Sequence, residues 1–202
     1  MPSQSEGRPS EARSRLLHTA TRLFYAEGIH AVGIDRIVVE AKVTRATLYR
    51  HFPGKEDLVL AYLAEVDRAI RGQADEALAA RLPAADTIRA LSEGITQGIR
   101  SPDFRGCAFL NAAAEYPDSA SPVHQAVLGH RQWFLETVTA LLAKIHEDGA
   151  EPAARHFVMM RDGAMAAGCL FDPALICETF LHGVERLLRV YATTDYNEPT
   201  QA

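Results

Sequence analysis

Residues 34–55 read IDRIVVEAKVTRATLYRHFPGK, two short segments with helical apolar spacing on either side of a Lys42-Val43-Thr44 corner. In the first segment Ile34, Ile37, Val38 and Ala41 fall on one face. In the second, Leu48 and Phe52 stand four residues apart and turn inward. Thr44 is placed to cap that second helix, its hydroxyl accepting the backbone N–H of Thr47. At about 100° per residue the opposite side presents Ala46, Thr47 and Arg50, with Tyr49 at the flank, Arg45 in the exposed first turn and His51 at the end. Pro53-Gly54 then breaks the helix. A short helix that hides two apolar residues and shows Arg, Thr and Tyr outward suits a helix-turn-helix lying in a DNA major groove.

Upstream, Leu16, Ala20, Leu23 and Phe24 recur at helical spacing and Gly28 supplies a stop, so a first helix over about residues 10–27 braces the other two. Residues 1–9 are polar, with Pro, Gly and Ser, and read as a flexible, solvated arm, contact of Arg8, Arg13 and Arg15 with DNA being the second reading. Downstream, Lys55-Glu56-Asp57 opens a fourth helix running to about Leu82, a lever between an N-terminal head and the remaining chain.

The net charge of -5 is divided unevenly along the 202 residues. Arg8 to Lys55 holds nine Lys or Arg against four Asp or Glu, and from Glu56 onward twelve basic residues face twenty-one acidic ones. A basic head and an acidic body favour docking on phosphates in one orientation. With 48% hydrophobic residues the chain can bury a substantial core. No run is long and apolar enough for a membrane span and the start lacks a signal-peptide core, so a cytoplasmic protein with no membrane partner is expected. Cys107, Cys169 and Cys177 form no C-x-x-C pair and read as reduced thiols.

With Ala20, Leu23, Phe24, Gly28, Ile37, Ala41, Val43, Thr44, Thr47-Leu48-Tyr49, His51-Phe52, Lys55 and Leu58 in this order, the N-terminal quarter resembles the tetracycline-repressor (TetR) family of bacterial regulators. The resemblance places Arg45 and Tyr49 near base edges and Thr47, Tyr49, His51 and Lys55 near phosphates. An Arg at a base edge matches guanine O6 and N7. Two positions depart from the family pattern: Gly33 stands where a capping Thr is usual, and Lys42 replaces the usual turn Gly.

Beyond Pro83, Pro and Gly signals divide the chain into five further helices, about 84–99, 105–115, 122–147, 152–170 and 173–192. The expected fold is therefore all-α with about nine helices: a helix-turn-helix domain over 10–57 and a larger helical body over 58–202, which the resemblance implies is an effector-binding and dimerisation domain. Phe104, Cys107, Tyr116, Trp133, Phe134 and Met159 would furnish a largely apolar pocket for a small hydrophobic or aromatic effector, although each suits a core equally well. Asn111 and Glu115 share one helical face and join the candidate pocket; capping or a surface position accounts for them equally.

A single head is too small to hold a site tightly, so a homodimer on a palindromic double-stranded operator is expected, with half-sites about 34 Å or more apart. The resemblance implies that the last two helices form the interface. Ala164, Ala167 and Gly168 keep one helix slim, and Leu175, Thr179, Gly183, Leu187 and Val190 make a stripe on the other, close packing within one chain being the second reading of such residues. No H-E-x-x-H, G-x-S-x-G or phosphate loop occurs, and His124 and His130, six apart, do not share a helical face, so neither an enzyme nor a metal or other cofactor is expected. The rival reading is a helical ligand-binding or scaffold protein that keeps the head but no longer binds DNA.

Overall fold

A computed structural model describes residues 10–193, with side chains through Tyr191; the expected arm, Arg8 included, lies outside the described residues. Among these residues there are nine helices and no strand. They are α1 (Glu11–Glu27), α2 (Ile34–Glu40), α3 (Arg45–His51), α4 (Lys55–Ala79), α5 (Ala84–Ile99), α6 (Ala108–Glu115), α7 (Pro122–Ala143), α8 (Ala150–Ala167) and α9 (Pro173–Thr193). Several boundaries differ from the sequence reading, α8 among them, which runs Ala150–Ala167 rather than about 152–170. The α6 helix begins at Ala108 rather than 105, after Gly106 with φ 84°. The α4 helix ends at Ala79, short of Arg81, which has φ 53°. The α7 helix stops at Ala143, four residues before the expected end, where the backbone passes into shorter turns closed by Lys144 and Ile145.

The chain divides into two compact units, Met1–Val66 with Ala108–Val127, and Asp67–Cys107 with Leu128–Ala202. The packing boundary falls inside α4, after Val66, and α6 belongs to the unit that carries the head.

In the first unit α1 packs on α2 and α3. Its core follows the apolar spacing: Leu16, Leu23, Ile37, Leu48 and Leu58 are wholly buried, and Phe24 meets Tyr62 at 5.9 Å between ring centroids. Each such side chain contributes about 1.5–3 kcal/mol relative to exposure. Ser10 starts α1 by accepting the Arg13 N–H, and Gly28 ends it at φ 94°, donating to the Phe24 carbonyl at 3.0 Å. That left-handed stop is where a glycine is needed.

In the second unit α9 packs against α5 and α8. Its core centres on Phe157, fully buried, with Phe134 at 6.3 Å and Phe180 at 5.9 Å between ring centroids. Buried hydroxyls on α5 are satisfied within their own helix: Ser92 donates to the Ile88 carbonyl at 2.8 Å and Thr96 to that of Glu93 at 2.8 Å.

Candidate nucleic-acid interface and ligand cavity

The α3 helix is set by its two ends. Thr44 accepts the Thr47 N–H at 3.1 Å, and the two hydroxyls lie 2.9 Å apart, which holds the Thr47 side chain at the exposed start of the helix. Leu48 and Phe52 are buried beneath it, so rotation about the helix axis is fixed. Arg45, Ala46, Tyr49 and Arg50 are consequently exposed, and Thr47 and His51 partly so.

The cations of this surface are largely held by nearby carboxylates. Arg45 donates through Nε to Asp35 at 2.6 Å and makes a second contact through Nη2. Arg36 pairs with Glu27 and Glu40, and Arg22 with Glu40. These hydrogen bonds to Arg36 and Arg22 hold the Glu40 carboxyl below its usual range. Exposed pairs of this kind contribute little to stability and break readily for a phosphate. His51 Nε2 lies 3.0 Å from the Ser10 hydroxyl, tying the end of α3 to the cap of α1. Arg13 lies over the Phe52 ring at 5.1 Å. Lys55 opens α4 half-buried, its ammonium 6.0 Å from the Phe24 ring centroid, and burial lowers its pKa more than Glu115 raises it.

At the two positions that depart from the family pattern, the backbone adapts differently. Gly33 caps α2 at φ -80° and ψ 154°, an extended geometry open to any residue, with no side-chain bond to the helix. Lys42 takes φ 53°, in the left-handed region, and its side chain is exposed. A non-glycine residue there carries a backbone strain of about 1 kcal/mol.

Glu115, at the end of α6, is a brace for the turn after α1. It accepts the N–H of Ile29 at 2.8 Å and of His30 at 2.5 Å, and a Cβ on Gly28 would approach its Oε1 to 3.4 Å. Tyr116 stacks near His30 at 4.9 Å between ring centroids, and Asn111 is exposed. All three belong to the first unit.

The second unit contains a cavity of about 480 Å³ among α4, α5, α7 and α8. Ile70, Ala74 and Ala77 come from α4, Leu91 and Ile95 from α5, Phe134 from α7, and Arg161 and Met165 from α8. Of the expected pocket residues Phe134 lines it. Cys107 is buried 3.5 Å from Arg161 Nη1, while Phe104 and Trp133 pack against the core. Met159, 69% exposed, lies on the surface instead, because the α8 stripe that turns inward runs through Phe157 and Arg161.

The family model described as bacterial regulatory proteins, tetR family, matches residues 16–62, and the tetracyclin repressor-like C-terminal domain matches 84–155. The crystal structure of SCO4454, a TetR-family transcriptional regulator from Streptomyces coelicolor, superimposes with a TM-score of 0.89 at 66% identity, covering 91% of this chain and 97% of that one. The chain belongs to the TetR family. Among other relatives, the HTH-type transcriptional regulator LmrA of Bacillus subtilis is 30% identical over 126 residues, 61% of this chain and 67% of LmrA. The HTH-type transcriptional activator FasR of Mycolicibacterium smegmatis is 41% identical over 63 residues, 31% of this chain and 29% of FasR. This TetR-family chain is a transcriptional regulator with a DNA-binding helix-turn-helix.

The residues expected at a dimer interface divide between the surface and the core of α8 and α9. Leu175 and Val190 are 58% and 55% exposed, and Thr179 is exposed as well. Ala164 and Leu187, by contrast, are buried in the core of their own chain, and Ala167 and Gly183 are half-buried. Gly168 is small for an internal reason, since a Cβ there would lie 2.7 Å from Ile99. At Gly183 a Cβ would approach only the Met160 sulfur, at 2.9 Å. Leu170 and Phe171, 75% and 65% exposed, extend the apolar surface and were missed because they lie in the α8–α9 turn, where helical spacing gives no signal. No described helix is long and apolar enough to cross a membrane.

Proposed function

We propose that this TetR-family regulator is a homodimeric repressor that leaves its operator when a small effector enters the second unit. Arg45 and Tyr49 read base edges in the major groove, with Ala46 and Arg50 on the groove side. Thr47, His51 and Lys55 position the head on phosphates. The observation that carries this reading is the α3 geometry: a buried Leu48–Phe52 anchor and a Thr44 cap that leave Arg45, Tyr49 and Arg50 exposed together. Dimerisation through the exposed apolar residues of α8 and α9 supplies two such helices for a palindromic site. Repression is favoured by the match to the repressor-like C-terminal model, and the activator FasR matches over 31% of this chain.

The effector acts through α4, whose residues Ile70, Ala74 and Ala77 line the cavity and whose first residue is Lys55. For a near-complete switch it must favour the released state by about 5.5 kcal/mol. A gel shift on DNA flanking the protein's own gene tests the reading. Retarded complexes of two chains per site, competed by the same duplex and not by unrelated DNA, are expected. Failure to retard any flanking segment favours the rival helical ligand-binding protein.

A further inference from the structure

The core stripe of α8 runs Ala150, Ala153, Ala154, Phe157, Arg161 and Ala164, a spacing of three and four at which an apolar residue belongs at every position. Arg161 breaks it. The residue is 6% exposed and lines the cavity. Its Nη1 donates to Asp162 Oδ1 at 2.9 Å, its guanidinium lies over the Phe134 ring at 5.3 Å, and its buried Nε has no hydrogen-bond partner. A buried donor left unmade costs about 1–3 kcal/mol, more when charged. A long side chain of this kind would ordinarily carry its head to water, and this one does not.

The charge around it is also unbalanced. Asp162 accepts from Arg131 as well, through Nη2 to Oδ2 at 2.5 Å, so one carboxylate serves two guanidinium groups and the cluster carries a net positive charge. Burial opposes the charged form of Arg161, but Cys107 and Asp162 outweigh it and its pKa is raised, so the guanidinium stays charged. The rest of the lining is mostly hydrocarbon: Ile70, Leu91, Ile95 and Phe134 among others, with Gly94 and Gly98 leaving open space on α5.

We propose that the ligand of this cavity is an amphipathic monoanion, its carboxylate or sulfonate held by Arg161 and its apolar body by the walls of α4, α5 and α7. The inference rests on the reading of this cavity as the effector site. A single charge is favoured because Asp162 already neutralises one of the two arginines and the exposed Glu76 on the same lining repels a second. At about 480 Å³ the space falls in the range of about 300–1,000 Å³ usual for a small organic ligand. Supplying the missing acceptor and the missing negative charge together makes the anion bind more tightly than its neutral counterpart.

Two fluorescent probes with one ring system test it: anilinonaphthalene sulfonate and the uncharged phenyl-naphthylamine that lacks the sulfonate. The wild-type protein is expected to bind the sulfonate at least about tenfold more tightly, a difference of about 1.4 kcal/mol. Arg161→Gln should bring the ratio to about one while retaining the neutral probe, and Arg161→Lys should keep part of the preference. Gly94→Leu, which narrows the cavity, should weaken both probes. Equal affinity of the wild type for the two probes, or a preference that survives Arg161→Gln, overturns the anion proposal and leaves the cavity reading standing. If the wild type binds neither probe, or Gly94→Leu binds both as before, the cavity reading falls and the proposal with it. The wild-type ratio needs no variant, so a misfolded Arg161→Gln leaves the test intact.

Discussion

In the first unit Arg22, Arg36 and Arg45 lie on the surface, each paired with a neighbouring carboxylate, whereas in the second unit Arg161 is buried, shares its one carboxylate with Arg131 and is short of one acceptor. The same residue type does opposite work in the two places. An exposed guanidinium paired with Asp35 or Glu40 is held in water at little cost and can be transferred to a nucleic acid without leaving a buried charge behind. A buried one is tolerated where its environment compensates it, and an incomplete environment marks a place for something to bind.

The largest effects expected are on the two cores. Phe157→Ala should destabilise the second unit by about 3–5 kcal/mol, and Leu48→Ala the first by about 2–5 kcal/mol. Thermal unfolding read by circular dichroism measures both. Leu48→Ala should also abolish DNA binding, because the α3 helix loses its anchor. If DNA binding survives it unchanged, the helix is held by something other than Leu48.

Next in size is Arg45→Ala, which should lower discrimination between operator and altered bases by about 1–3 kcal/mol while leaving the melting temperature almost unchanged. Competition binding with single-base variants of the operator shows it. A uniform loss across all sequences would instead make Arg45 a phosphate contact. Lys42→Gly should raise stability by up to about 1 kcal/mol by relieving the left-handed residue, at the cost of one exposed charge near the DNA. A lower melting temperature would mean that the turn does not strain Lys42.

The smallest effect separates the units by pH. Burial holds His130 below its ordinary pKa of 6.5, outweighing its hydrogen bond to Asp67. The folded state therefore takes the proton less readily than the unfolded chain. Its contribution to stability is complete above the ordinary value and is lost as the pH falls below it. The melting temperature should decline as the pH falls below about 6.5, and His130→Gln should flatten that decline. An unaltered slope in the variant would assign the titration elsewhere.

The head was legible because its signals are local. Thr44, Leu48, Phe52 and Gly28 act on residues within four positions, and the helical period reports that range directly. The nine helices were legible for the same reason. What the sequence left open depends on contacts across the chain: Glu115 acts on residues more than eighty positions earlier, and Gly168 is small because of Ile99. Arg161 had a signal, a charge within an apolar stripe, but that stripe becomes distinctive only once Ala150, Phe157 and Ala164 are known to face inward. Aromatic and sulfur-bearing residues such as Trp133 and Met159 were weaker guides, since bulk alone does not tell a cavity wall from a core or a surface.

In the proposed function the α3 surface reads DNA, with Arg45 released from Asp35. Fluorescence anisotropy of a labelled operator duplex, titrated with the wild-type protein over a series of salt concentrations, tests it most directly. The account predicts sequence-dependent binding whose affinity falls steeply with salt, by a log-log slope of about 0.9 for each phosphate contact. Binding indifferent to salt, or equal for operator and scrambled duplex, would contradict it.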